Sequence, residues 1–427
     1  MGIFTFFLVI GVIPGLPAGA LVGRWALVAV VAAVLFMRRD ITPGGYILLA
    51  YLAVMTFFAP VWWDSTFLFF HAVCFVILYS YAQGMVSLRN MTIGMGLGMA
   101  VNSAVVLAQF IWDWKFVPTI TPYAGLYFQR NIGAETAAVS LILLVGYRLW
   151  WLIPGCLPTL FFGSRAAAVA VAVPLAMMLW RRSKIIAAAT FASLISAICI
   201  AWLITNYFMA GKIVPTATLF ASDLVIRLHT WYDALHGLTW FGRGLGSFMV
   251  EFPRWQDYTS ALQLRWENAH NDPLQIVFEL GIGGVVLIAL FAIRLSYAER
   301  RPEFYALIAV VVEGMFGFPL YQPVTGPVAA LCAGWLFGHG DPLRDVLVRF
   351  GLRILTWYET AKLWAFRARR RTIPVLSRAP AGGSLVYHQF ARRGGYSDGG
   401  GGNSDGSLCP GPQIGPVAPS LERRAER

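Results

Sequence analysis

The chain has 427 residues, of which 58% are hydrophobic and only 13% charged, and its mean hydropathy is +0.64. Soluble domains carry roughly 45–50% apolar and about 25% charged residues, so that class is excluded, together with fibrous, disulfide-framework and mainly disordered chains. The formal net charge of +12 does not indicate nucleic acid: +7 of it lies from Gly340 onward, and much of the rest sits in short segments between apolar blocks.

Apolar blocks run at roughly 3–20, 21–37, 43–60, 66–86, 92–111, 132–149, 150–163, 166–180, 185–208, 273–293, 304–320 and 326–339. Many approach the ~20 residues that an α-helix needs to cross a hydrocarbon core of about 30 Å. The expectation is an all-α polytopic membrane protein of about 12 transmembrane helices. The first block, broken by Pro14-Gly15-Leu16-Pro17, reads as a membrane helix and not as a cleaved signal. Cys74, Cys156, Cys199, Cys332 and Cys409 are scattered without a CxxC, so neither disulfides nor a metal site is expected.

If every block spans, Arg38-Arg39, Arg89, Arg148, Arg181-Arg182-Lys184, Arg294 with Arg300-Arg301, and the tail fall on one side, and the positive-inside rule makes that side cytoplasmic. The opposite side receives 112–131, the Gly163-Ser164-Arg165 turn, the 64-residue segment 209–272 and Tyr321-Gln322-Pro323. Segment 209–272 is the long extracytoplasmic loop, and its five Lys/Arg nearly balance six Asp/Glu. Leu224, Leu228, Trp231, Leu235 and Leu238 recur there at helical spacing, an amphipathic stripe for a helix on the membrane surface or packed on the bundle. Residues 1–340 thus form the transmembrane domain. Residues 341–371 form a basic amphipathic cytoplasmic segment, suited to anionic membrane lipid, and 372–427 a Gly-rich tail whose composition cannot build a core.

Ionisable groups at membrane depth are expensive and point to function. Glu135, Arg165, Glu279 and Glu313 qualify, with Asn102, Gln109 and Gln275 as lesser cases; the competing reading for each is a buried polar group paired for packing. Arg165, Arg227 and Arg243 share the outer side, where a guanidinium fork suits phosphate because it donates two hydrogen bonds and keeps its charge. In His270-Asn271-Asp272-Pro273, Pro273 fits the first helical position and Asp272 the N-cap. His270, just before that cap, is the side chain best able to exchange a proton near neutral pH, and Gln275 and Glu279 follow on about the same helical face as Asp272.

Taken together, four ordered pieces resemble the O-antigen ligase/polymerase superfamily of bacterial inner-membrane proteins. They are Gly125-Leu126-Tyr127-Phe128-Gln129-Arg130-Asn131 with Ala134; Gly163-Ser164-Arg165-Ala166; Arg227 with Trp231 to Leu235 and Gly242-Arg243-Gly244-Leu245-Gly246-Ser247-Phe248; and His270-Asn271-Asp272-Pro273-Leu274-Gln275 with Glu279-Leu280-Gly281. They cover about 125–285, and Arg243 stands where the family pattern is loose. The resemblance implies a metal-independent, cofactor-free, inverting glycosyltransferase of the inner membrane. It would use an undecaprenyl-diphosphate-linked glycan as donor and lipid A–core, or a second glycan, as acceptor at the periplasmic face. His270, Arg165 and Arg227 would then be catalytic. Arg243, Asn271, Asp272, Gln275, Glu279 and Arg130 would bind substrate, with Glu279 or Asp272 also able to orient His270. A polymerase or protein O-glycosylation ligase of the same superfamily differs only in acceptor. A transporter is the alternative from another class, though the inverted repeat with paired Gly/Pro-broken helices that would favour it is not evident.

Overall fold

The computed structural model describes residues 1–11, 19–37, 41–114, 119, 121, 123–127, 129–180, 183–193, 196, 200, 216–256, 268–338, 356, 360 and 362. The expected Pro14–Pro17 break, the basic pairs at 38–39 and 181–182, and nearly all of 341–427 lie outside these residues. The chain divides into two units, Met1–Tyr358 and Glu359–Arg427. The helical bundle lies in the first unit.

Among the described residues the regular structure is entirely helical: α1 (Gly2–Ile10), α2 (Gly19–Phe36), α3 (Pro43–Phe57), α4 (Trp62–Ala82), α5 (Arg89–Trp112), α6 (Arg130–Gly146), α7 (Leu157–Phe161), α8 (Arg165–Trp180), α9 (Lys184–Ser193), α10 (Thr216–His236), α11 (Phe248–Glu251), α12 (Asp272–Leu280), α13 (Ile282–Tyr297), α14 (Pro302–Gly314) and α15 (Thr325–Phe337). Among the described residues only α4 and α5, at 21 and 24 residues, are long and apolar enough to cross a bilayer unaided. At 1.5 Å per residue the 13–18 residues of helices such as α2, α3, α8, α13 and α15 cover about 20–27 Å, short of a full ~30 Å core. Twelve complete spans therefore remain an expectation.

Two of the apolar blocks are broken. Block 150–163 is a 3₁₀ turn over Trp150–Gly155, with Pro154 inside it, followed by the five-residue α7. Block 273–293 divides at Gly281, whose φ of 58° and ψ of −137° no helix accommodates, into α12 and α13. Hydropathy registers neither break, because apolar residues continue on both sides of each.

The bundle is assembled around α6, which is buried on every side from Ile132 to Leu144. It packs against α5, α8 and α14. α1 lies close along α5: a Cβ on Gly94 would stand 1.9 Å from the Gly2 carbonyl oxygen, so only glycine fits. Arg24 of α2 is buried and fastens this corner. Its guanidinium donates to the carbonyls of Leu8 (2.9 Å), Val9 (2.5 Å) and Leu126 (3.2 Å) and lies 4.0 Å over the Tyr127 ring. Asn102 and Gln109 of α5 hold the same loop. The Asn102 Oδ1 accepts from the Leu126 N–H (2.7 Å) and the Gln109 Oε1 from the Gly125 N–H (2.8 Å). Both are packing groups that fix the approach to Arg130.

The amphipathic helix forms as α10, but the stripe divides: Trp231 and Leu238 pack inward, whereas Leu228 and Leu235 point away from the bundle. Leu228 and Leu235 are half exposed, whereas Thr230, Asp233 and Ala234 are buried. The side chain of Leu224 lies outside the described residues. An outward apolar face suits a helix at the membrane surface, and the inward face is polar because it borders the site.

Candidate functional site

The site begins at the turn into α12. Asn271, in extended backbone, is its N-cap: the Asn271 Oδ1 accepts the Leu274 N–H at 3.0 Å. The cap thus stands one residue before the expected Asp272, and Pro273 is the second helical residue. Relieved of capping, the buried Asp272 carboxylate reaches across to another element, accepting the Leu320 N–H at 3.1 Å. His270 takes a left-handed backbone, φ 50°.

A chain of hydrogen bonds holds His270 from behind. The neighbouring Ala269 donates its N–H to Gln275 Oε1 (3.1 Å) and accepts the Trp231 indole N–H of α10 (2.9 Å). Gln275 Nε2 donates to Glu279 Oε1 (3.0 Å), and Glu279 Oε2 accepts the Gly246 N–H (2.8 Å). The Glu279 carbonyl also accepts the N–H groups of Arg243 and Gly244, both at 3.0 Å. Gln275 and Glu279 are 3% and 1% exposed, so they act on the loop backbone. The glycine spacing of this loop has a steric cause: Gly242 has φ 75°, and a Cβ there would stand 2.3 Å from the Glu279 carbonyl oxygen.

Arg243 is placed apart from the histidine. It donates to the Gly237 carbonyl (2.6 Å), pairs with Glu251 (3.2 Å) and lies over the rings of Trp255 (4.9 Å) and Phe278 (5.5 Å). It lines a cavity of about 770 Å³ bounded by Tyr51, Met55, Phe58, Phe241 and Leu280.

The other arginines gather near α6. Arg165 opens α8 after a turn in which the Ser164 hydroxyl accepts the Ala167 N–H (3.1 Å), and Arg130, the first residue of α6, lies within range of its charge. Arg227 on the inner face of α10 donates to the Phe316 carbonyl and lies within range of the Glu135 carboxylate of α6. Glu135, Asp272 and Glu313 are mutual neighbours, and neither carboxylate oxygen of Glu313 has a hydrogen-bond partner among the described residues.

Sequence reasoning singled out Glu135 and Glu313 as intramembrane charges but did not join them to the site. It placed Tyr321-Gln322-Pro323 on the outer side but read Phe316 to Leu320 as part of block 304–320, whereas the helix ends at Gly314. The Phe318 ring stands 5.2 Å from the His270 ring, edge to face, while Phe316 holds Arg227 and Leu320 holds Asp272. The available signal was Phe316-Gly317-Phe318-Pro319 directly behind Glu313, an aromatic turn after a buried carboxyl. At its end, burial together with the carboxyls of Glu279 and Asp272 holds the Tyr321 phenol well above its ordinary range, so it stays neutral beside Gln275.

Residues 152–289 match the family model of the O-antigen ligase. Over this segment the chain is similar to the O-antigen ligase family. It contains Arg165, Arg227, Arg243, His270, Asn271, Asp272, Gln275 and Glu279; Arg130, Glu135, Glu313 and the Phe316–Leu320 turn lie outside it. The O-antigen ligase family consists of membrane enzymes of the ligase and polymerase kind, acting on glycans and lipid-linked substrates. No curated protein matches the chain.

Proposed function

We propose that the chain is an inner-membrane glycosyltransferase that moves a glycan from undecaprenyl diphosphate to a sugar hydroxyl of lipid A–core at the periplasmic face. The observation that carries the reading is the meeting of Arg227 and His270, 43 positions apart in sequence, on one turn beside α6. A cationic donor for a diphosphate and a proton acceptor for a hydroxyl are the two groups that such a transfer needs.

In this reading Arg227, Arg165 and Arg130 hold the diphosphate. Its negative charge grows as the bond from the anomeric carbon to the phosphate oxygen breaks, and fixed guanidinium donors stabilise that growth. The acceptor oxygen attacks the anomeric carbon opposite the leaving group, its proton passes to the His270 imidazole, and the anomeric configuration inverts. The arginines supply the positive charge a metal would otherwise provide. Asn271, Gln275 and Glu279 position His270 through the backbone; Arg243 sets the glycine loop and the wall of the cavity, where the hydrocarbon of a lipid substrate can lie. Complete membrane spans on the expected plan, with both termini cytoplasmic, place all these groups on the outer side.

The test is transfer by purified protein in lipid, with a polyprenyl-diphosphate glycan and either lipid A–core or a second lipid-linked glycan as acceptor. Modified lipid A–core that disappears in His270→Ala supports the ligase. Chain growth on the carrier assigns a polymerase instead, and no transfer to either acceptor removes the reading.

A further inference from the structure

The turn after α14 does more than connect two helices. Its alternate residues each engage a different part of the site. The Phe316 carbonyl accepts from Arg227, the Phe318 ring faces His270, and the Leu320 N–H donates to Asp272, two residues beyond His270. All three partners come from the segment that also carries the glycine loop, far from 316–320 in sequence. A mere connector between α14 and α15 has no need of them.

Between these contacts the turn rests on α6 and the end of α14. A Cβ on Gly317 would stand 2.9 Å from Glu135 Oε1 and 3.2 Å from the Glu313 carbonyl oxygen. The Glu135 contact is with the end of its side chain, the same carboxyl that lies within range of Arg227. A side chain at 317 therefore either displaces that carboxyl or lifts the turn with its Phe316 carbonyl and Phe318 ring, and either shift disturbs the surroundings of Arg227.

We propose that the Phe316–Leu320 turn is a gauge that fixes the reach from the anion-holding Arg227 to the proton-accepting His270, with Gly317 as its positioning residue. The inference rests on the roles given to those two side chains above. A reacting group displaced by about 1 Å loses about 10²-fold in rate, so one shared support for both is a sensitive point.

Kinetics of the full-length protein in lipid separate the possibilities, with donor concentration varied at saturating acceptor. Gly317→Ala should raise the donor KM and lower kcat together, for a combined loss of about 10–100-fold in kcat/KM. Phe318→Leu, which touches only the histidine side, should lower kcat and leave the donor KM within about twofold. Asp272→Ala should resemble Gly317→Ala, and Asp272→Asn should recover most of that loss, because an amide oxygen still accepts the Leu320 N–H. Gly317→Ala at wild-type yield and melting temperature with either constant unchanged overturns the gauge. So does an Asp272→Asn as impaired as Asp272→Ala, the deciding pair if Gly317→Ala does not fold. Arg227→Ala and His270→Ala run alongside: if both transfer normally, the functional reading falls and takes the gauge with it, whereas defects in both beside a silent Gly317→Ala remove the gauge alone.

Discussion

A guanidinium proposed to hold a diphosphate has to be aimed before the substrate arrives, and Arg227 is aimed from two sides: it donates to the Phe316 carbonyl and lies within range of the Glu135 carboxyl. Arg227→Ala should therefore lower kcat/KM by about 10²–10³-fold, the usual loss for one donor to a developing charge, and Arg227→Lys should lose less because the charge survives without the fork. His270→Ala should lower kcat by about 10²–10⁴-fold while insertion in the membrane is unchanged, measured as initial transfer rate against protein in the membrane fraction. Asn271→Ala removes a cap bond and should cost about 1 kcal/mol in thermal unfolding. The arginines and the histidine could be singled out in the sequence as candidates because ionisable groups close to membrane depth are rare. The cap was misplaced by one residue because Asn and Asp serve that position equally well. That Asn271, Asp272, Gln275 and Glu279 would all be buried was not legible: partners such as the backbone at Ala269, Gly246 and Leu320 leave no pattern in composition or spacing.

At the scale of elements, hydropathy located nearly every helix but not where two of them break. Gly281 ends α12 with a left-handed backbone, and a Cβ there would stand 2.3 Å from the Gly242 amide nitrogen. Gly281→Ala should lower stability by about 2 kcal/mol or more, since the backbone preference alone costs roughly 1–2 kcal/mol and the clash adds to it; the shift is read by thermal unfolding in detergent. The orientation of α10 could not be foreseen for a related reason. Its leucine spacing defines an apolar face, yet a membrane protein can turn such a face to lipid, and here the Leu228 and Leu235 side is exposed while the Arg227, Thr230 and Asp233 side looks inward. The stripe gave the helix and its phase. Only the site it borders decides which side is in.

Across the whole molecule, the segment 152–289 that matches the O-antigen ligase model carries Arg165, Arg227 and His270, while Arg130, Glu135 and the Phe316–Leu320 turn come from the helices on either side of it. Removal of 372–427 should leave transfer intact at normal protein levels, because that composition contributes no core; loss of activity would give the tail a role. Arg24 is the opposite case, remote from the chemistry and fully enclosed. Arg24→Met should destabilise the fold by about 2–4 kcal/mol, since three backbone carbonyls lose their donor at once, and protein yield and melting temperature check it.

The enclosure of α6 also bears on biogenesis. The ribosome delivers this helix, with Glu135 on it, well before α8 and α14 exist to cover it, and before Gly317 can close over the carboxyl. Until then its only neighbours are earlier helices and lipid, an environment in which a carboxyl-bearing segment is unstable. Nascent chains arrested before Phe316 should accordingly be cleared by membrane quality-control proteases faster than chains arrested after Phe337, so that helices made later decide whether the middle one survives.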